Sequence, residues 1–309
     1  MLKAWRATVL SVAMLATLPA AAQSEPAPPS EPDDTIIVTG NTEPPTHREV
    51  FEQALEVSRV DSGRMYEESL ARLVAPLCPQ VTGLDDDLAE EMVARIRANA
   101  ERVDVRVARG RCATNLLVAF TDDGQTLLDE LASRHPKVFA LASEEERSEL
   151  LADNAPVRVW NIVEHKWASG APFQYRRGRP EVPSLKKPVG MLLPTRKDID
   201  FALVVYDREA VLGMTTVQLA DYATMRGLSH TRPASGAQPM STILALFDDH
   251  GAAGPADREP AELTSFDLGY LRSVYFWRAD RSVPAVGRLL GARRRAGNAA
   301  DDAGPPEGP

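Results

Sequence analysis

Between positions 220 and 230 the chain reads Ala-Asp-Tyr-Ala-Thr-Met-Arg-Gly-Leu-Ser-His. The spacing is that of a metal-gripping helix. In the pattern His-Glu-x-x-His-x-x-Gly-x-x-His, two histidines one turn apart hold a zinc ion from one helix face. The glycine lets the chain turn away so that a third histidine closes the site. Set on that template, Gly227 and His230 fall on the glycine and the third histidine, and Asp221 falls on the acid/base position. Ala220 and Thr224 stand where the first two histidines belong. One imidazole cannot hold zinc at physiological affinity, so no metal and no cofactor are expected. Aspartate is also one methylene shorter than glutamate and would sit differently over a water. Two readings are open. Asp221 and His230 are catalytic candidates of a divergent hydrolase with a degenerate site, or the stretch is a core helix ending at Gly227. In the second case Ala220, Ala223 and Met225 or Leu228 face inward.

No other strong motif is present. The chain has no phosphate-binding loop, no dinucleotide-binding glycine pattern, no Gly-x-Ser-x-Gly elbow and no Cys-x-x-Cys pair. Its five histidines, His47, His135, His165, His230 and His250, are scattered, and no two share helical ligand spacing. The two cysteines, Cys78 and Cys112, are expected to form a disulfide. Closing a loop of that length is worth ~4 kcal/mol in the chain-entropy account.

The segment from Tyr175 to Lys197 is a basic island with Arg176, Arg177, Arg179, Lys186, Lys187, Arg196 and Lys197. Prolines at 180, 183, 188 and 194 keep it from being a helix. Either it is a solvated loop between strands, or Arg176, Arg177, Arg179, Lys186 and Lys187 form a patch for an anionic partner. Such a partner would be an envelope protein with an acidic face or a phosphorylated glycolipid. Trp160, Trp167, Phe276 and Trp277 are expected to pack in the core or at its rim.

The chain as a whole is acidic, with a net charge of -9 over 309 residues. That balance repels nucleic acid, so no nucleic-acid partner is expected. The first 22 residues contribute Lys3 and Arg6 and no acid, so without them the charge is -9 - 2 = -11. They also have the layout of a secretory signal: the basic start, an apolar run from Ala7 to Leu18, and small residues before Gln23. Cleavage is expected after Ala22, with the mature protein periplasmic or secreted. The apolar run is shorter than the ~20 residues a transmembrane helix needs. No later segment is long and apolar enough, so the mature chain is expected to lack a transmembrane segment.

The elements that must position these residues alternate between helix and strand. Residues 23–34 read as a disordered linker and 291–309 as a disordered tail. Between them, 35–290 is expected to form a single globular domain, with a subdivision near 155 as an option. Ile36-Ile37-Val38, stopped by Gly40, reads as an edge strand open to pairing with a partner strand. Thr46 and Glu49 have capping-box spacing, and Val50, Phe51, Ala54 and Leu55 form one stripe. A second helix is expected to carry Met65, Leu70 and Leu73. Asp85-Asp86-Asp87 opens a strong helix with Leu88, Met92, Ile96 and Val103 on one face. Leu116–Phe120, Pro156–Glu164 and Phe201–Tyr206 read as strands, the last one central. Further helices are expected near 125–134, from Ser143 capped by Glu146, near 216–229 and near 264–277. The order is no regular βαβ repeat. The fold class expected is α/β (α+β), a mixed sheet flanked by helices.

Several stretches carry a family resemblance. They are Ile36-Ile37-Val38-Thr39-Gly40, Pro76-Leu77-Cys78-Pro79, Gln218 to Arg226, Ser241-Thr242-Ile243-Leu244, Glu262 to Asp267 and Tyr270-Leu271. On these the chain resembles a family of uncharacterised exported bacterial proteins, over most of its length from 35 to 290. Its C-terminal order, a helix, a Ser-Ile strand and a Leu-Thr-x-x-Asp helix, resembles a wider group distantly related to zinc proteases. The resemblance implies a zincin-like core that has lost its zinc ligands, and it implies no activity. Together these readings favour a non-catalytic protein that binds an envelope component through the basic loop or through the groove beside the helix at 216–229.

Overall fold

A computed structural model describes residues 45–60, 68–136, 142–152, 155–173, 175–176, 179–180, 192–234, 239–248, 260–276 and 278–280. All of them belong to one compact unit, 44–309. The expected signal peptide, linker, edge strand at 36–38 and C-terminal tail lie outside the described residues.

In chain order the elements are α1 (His47–Val57), β1 (Arg72–Leu73), β2 (Pro79–Thr82), α2 (Asp86–Arg102), β3 (Leu116–Thr121), α3 (Gly124–Arg134) and α4 (Glu144–Leu150). There follow β4 (Val157–Trp167), β5 (Tyr175–Arg176), β6 (Arg179–Pro180), β7 (Thr195–Asp207), α5 (Thr216–Leu228), a short 3-10 turn (Ile243–Ala245) and α6 (Ser265–Phe276). The class is mixed α/β, as expected.

β7 organises the sheet. On one edge it pairs in parallel with β3, from Leu116 opposite Ala202 to Thr121 opposite Asp207, and with β1 at Asp198 and Ile199. On the other edge it pairs antiparallel with β4 along most of its length, with a bulge between Ile162 and Val163. β2 extends the parallel side beyond β3. The centre of β7 is continuously apolar because both of its faces are covered. Ala202, Val204 and Tyr206 join the main core, which α1, α2, α5, the 3-10 turn and α6 cover. Leu203 and Val205 face a smaller core with Leu128 of α3, Leu150 of α4 and Trp160 of β4. One strand with a side-chain period of two thus serves two cores.

Local chemistry sets the helix starts. Thr46 with Glu49, Ser143 with Glu146, and Thr215 with Gln218 each close a capping box. Thr264 and Asp267 exchange the same pair of bonds at the entrance of α6, at 2.9 and 3.2 Å. α2 has Asp86 and Asp87 in its first turn, where the helix dipole favours them. The Cys78–Cys112 disulfide joins the residue before β2 to the loop before β3.

Three local expectations change. Leu70 and Leu73 belong to no helix: β1 takes Leu73 onto the parallel edge of β7, and strand pairing outweighs the helical spacing. Leu88 leaves the apolar face of α2 and is 41% exposed, because the first turn projects into solvent, while Met92 and Ile96 are fully buried. Residues 243–245 form a 3-10 turn and no strand. The Asp267 carboxylate takes the Thr242 hydroxyl and the Ile243 N–H (2.5 and 2.8 Å), so that N–H is withdrawn from any strand partner.

α5 is buried from Leu219 to Leu228 on all sides. It lies over β7 with α2, the 3-10 turn and α6 around it. Its last carbonyls therefore need partners away from water. Ser229 Oγ donates to the Met225 carbonyl (2.8 Å), Asn161 Nδ2 to that of Arg226 (3.0 Å) and Tyr275 Oη to that of Leu228 (2.6 Å). Gly227 sits inside this helix because Leu116 of β3 occupies the space a side chain would need. A Cβ there would lie 2.6 Å from Leu116 Cδ1, and Leu116 is itself fully buried. Gly227→Ala is expected to destabilise the protein by about 1 to 2 kcal/mol, overpacking outweighing the better helix propensity. Urea denaturation of the two proteins measures this, and a stabilised variant would show that Leu116 can yield.

Candidate functional site

Asp221 points from α5 toward α2 and has no solvent exposure. Arg95 grips it in two-point fashion, Nε to Oδ1 and Nη2 to Oδ2, both at 2.7 Å. Asn99 Nδ2 donates to Oδ1 at 2.5 Å and the Leu263 N–H to Oδ2 at 2.6 Å. Four donors fill the acceptor positions of both oxygens, leaving none aimed at a substrate. Arg95 also reaches Glu262 at 2.9 Å, and its pKa is raised above the usual arginine value, chiefly by the bond to Asp221. The carboxylate thus ties α5 to α2 and to the segment entering α6. Ala220 and Thr224, at the template's first two histidine positions, are fully buried, and the Thr224 hydroxyl donates to the Ala220 carbonyl at 2.8 Å.

His230 follows α5 and faces α4. Its Nε2 lies 2.6 Å from Glu146 Oε1. Burial lowers the imidazole pKa, and Arg59 and Lys197 push the same way against the pull of Glu146. The ring is neutral at pH 7 and donates Nε2–H to the carboxylate. Burial acts to raise the Glu146 pKa, but the bonds from His230 and from the Ser143 backbone and hydroxyl outweigh it and hold the group at about 2. Asp221 and His230 share no partner, and α5 from 221 to 228, roughly 10 Å of helix axis, lies between them. The structure therefore places the two candidates in separate clusters.

The cluster around His230 has no counterpart in the sequence reading. Arg232 meets Glu145 through Nε and Nη2, at 2.6 and 3.1 Å. Arg59, just beyond α1, bonds Glu149, and its Nη1 is 3.7 Å from Glu145. Arg226 Nη2 stands 3.9 Å from Glu149, while its Nη1 donates to Tyr222 Oη at 2.7 Å and its guanidinium lies over the Tyr222 ring. These partners come from residues 59, 226, 230 and 232, three arginines and a neutral histidine, and the carboxylates they face all come from α4. No local spacing could have announced them, although the Glu-rich first turn of α4 hinted at a basic receiver.

The basic island divides. Arg196 and Lys197 belong to β7 and are paired, with Asp198 at 2.8 Å and with Glu68 at 2.5 Å. Arg176 and Arg179 stand opposite one another in the register of the β5–β6 hairpin. Arg177, Lys186 and Lys187 lie outside the described residues. Trp167 and Phe173, at the base of this hairpin, pack edge to face at 5.0 Å.

Among the described residues no three His, Cys, Asp or Glu side chains are grouped to hold a metal ion. Among the same residues no helix is long and apolar enough to cross a membrane. No protein family, curated protein or solved structure matches the chain.

Two outcomes follow from the geometry. Asp221→Asn replaces an acceptor by a donor facing other donors and strips Arg95 of its main partner. It should cost about 3 kcal/mol or more in chemical denaturation; a loss within experimental error would rule out the tie. The His230 pair should make stability fall with acid. The imidazole binds its proton less readily folded than unfolded, so its contribution is complete above a pH of about 6.5 and is lost as pH drops below that. Glu146 adds a second loss, between 4.5 and about 2. His230→Gln, which retains an N–H donor, should flatten the fall in melting temperature between neutral pH and about pH 5.

Proposed function

We propose that this chain is an exported, non-catalytic binding protein that docks an anionic envelope component, an acidic protein face or a phosphorylated glycolipid, through the basic segment around the β5–β6 hairpin. The observation that carries the reading is the concentration of Arg176, Arg177, Arg179, Lys186 and Lys187 within twelve residues of an acidic chain. Arg196 and Lys197 are neutralised within the fold, so the patch consists of Arg176, Arg177, Arg179, Lys186 and Lys187. In a chain of net charge -9 this density of unlike sign gives an anionic partner a local target. The Cys78–Cys112 bond supports an oxidising compartment, in agreement with the N-terminal leader expected from the sequence. The four-donor saturation of Asp221 supports a structural duty for that carboxylate, and a hydrolase centred on Asp221 and His230 draws no support from two separate clusters.

The test is co-sedimentation of the mature protein with vesicles containing an anionic phospholipid, against zwitterionic vesicles. Binding should weaken as salt rises above about 0.15 M. Reversing Arg176 and Arg177 together to glutamate should weaken it about tenfold or more. Binding indifferent to both salt and reversal would sink the proposal.

A further inference from the structure

Helix α4 is held mainly by charge. Its buried residues are Glu146 and Leu150, so it brings little apolar surface to the core. Glu145 and Glu149 lie against arginines from other parts of the chain, and Glu146 accepts from the neutral His230. Beneath it Arg59, Arg226 and Arg232, with the neutral His230, form one cradle. The side chains of Arg226 and Arg59 are 2% and 6% exposed.

The cradle is under-filled. Arg226 Nε, Arg59 Nη1 and Thr231 Oγ1 are buried and have no hydrogen-bond partner. They are neighbours through shared contacts. Arg59 and Arg226 both approach Glu149 Oε2, and Arg59 Nε donates to the Thr231 carbonyl at 3.3 Å. Buried donors left without acceptors are unfavourable and uncommon in folded proteins. Here two belong to arginines that share Glu149, and the third to a residue that one of those arginines binds through its carbonyl. Glu149 stands 3.9 Å from Arg226 and Glu145 stands 3.7 Å from Arg59 Nη1, both beyond hydrogen-bond reach, so the carboxylates balance the charge without supplying the missing bonds.

A tetrahedral oxyanion matches the shortfall better. It carries more acceptor oxygens and up to two negative charges, and the guanidinium fork is shaped to take two of its oxygens at once. The hydroxyl of Thr231 supplies a further donor. We infer that the cradle of Arg59, Arg226 and Thr231 is a phosphate-binding site, for free phosphate or the phosphomonoester end of a larger molecule, in which Glu149 of α4 stands in for the ligand when none is bound. The site shares no residue with the β5–β6 hairpin and does not depend on the role proposed for it. Phosphate would displace Glu149 from both arginines and loosen α4 over Glu144–Leu150.

The experiment uses the mature full chain and three forms of it: wild type, Glu149→Gln and Thr231→Val. Binding of inorganic phosphate and of glycerol 3-phosphate is measured by calorimetry at constant ionic strength, with chloride as the reference anion. Hydrogen exchange follows α4. Glu149→Gln removes the internal competitor at nearly constant volume and should bind about tenfold tighter than wild type, as removing about 1.4 kcal/mol of competition would give. Thr231→Val removes a hydroxyl that makes no bond in the free protein. It should fold as well as wild type yet bind more weakly by about tenfold. Phosphate should speed exchange in α4. A response to both anions identifies the phosphoryl group as sufficient, and a response to glycerol 3-phosphate alone identifies a phosphomonoester ligand. The inference is overturned if neither anion binds above chloride in wild type and Glu149→Gln, or if Thr231→Val binds phosphate as tightly as wild type.

Discussion

Burying α5 on all sides is the constraint from which most of the polar wiring follows. A helix covered by a sheet and two other helices cannot send its polar side chains to water, so each must find a partner inside the protein. Asp221 therefore draws Arg95 and Asn99 from α2 and a backbone amide from the approach to α6. Thr224 turns back onto its own helix. The C-terminal carbonyls recruit Ser229, Asn161 and Tyr275 from three different segments. These bonds stitch α2, β4 and α6 to one helix and set where each can lie. The missing side chain of Gly227 completes the arrangement by letting Leu116 of β3 approach the helix.

The same constraint separates structural from functional polarity. Asp221 has as many donors as it has places for them, and a saturated carboxylate holds elements together without having anything left for a ligand. Asp267 behaves alike, taking hydroxyl and amide donors from Thr242, Ile243 and Thr264. Burial raises its pKa against the pull of those donors. The cradle under α4 differs in kind, because there donors outnumber well-placed acceptors. Saturation marks a finished joint, and a surplus of buried donors marks an opening for an anion.

Charge also organises the protein at longer range. The net charge is negative, yet basic residues concentrate along the sequence between 176 and 197 and, in the fold, in the cradle beside His230. The fold neutralises Arg196 and Lys197 with Asp198 and Glu68. It covers Arg59, Arg226 and Arg232 with the carboxylates of α4. For these described cations, what counts is which acids the fold brings beside them.

The sequence by itself determined the mixed α/β class, the central place of β7, the capping pairs Thr46–Glu49 and Ser143–Glu146 and the pairing of Cys78 with Cys112. These rest on short-range rules: an apolar run covered on both faces, a hydroxyl three residues before its acid, and two cysteines with no other partners. Where local spacing was ambiguous it misled. Leu70 and Leu73 have helical spacing, but Leu73 pairs with β7, and Leu88 keeps the period of α2 but projects into solvent. Tertiary structure alone decided the site. Asp221 and His230 lie nine positions apart in sequence, yet they face opposite neighbours, because α2 and α4 pack against different parts of α5 and its exit. The cradle gathers residues 59, 145–149, 226 and 230–232, whose meeting no periodicity encodes. Side-chain partnership across such separations is settled only when the helices are packed and the buried donors must be counted against the acceptors within reach.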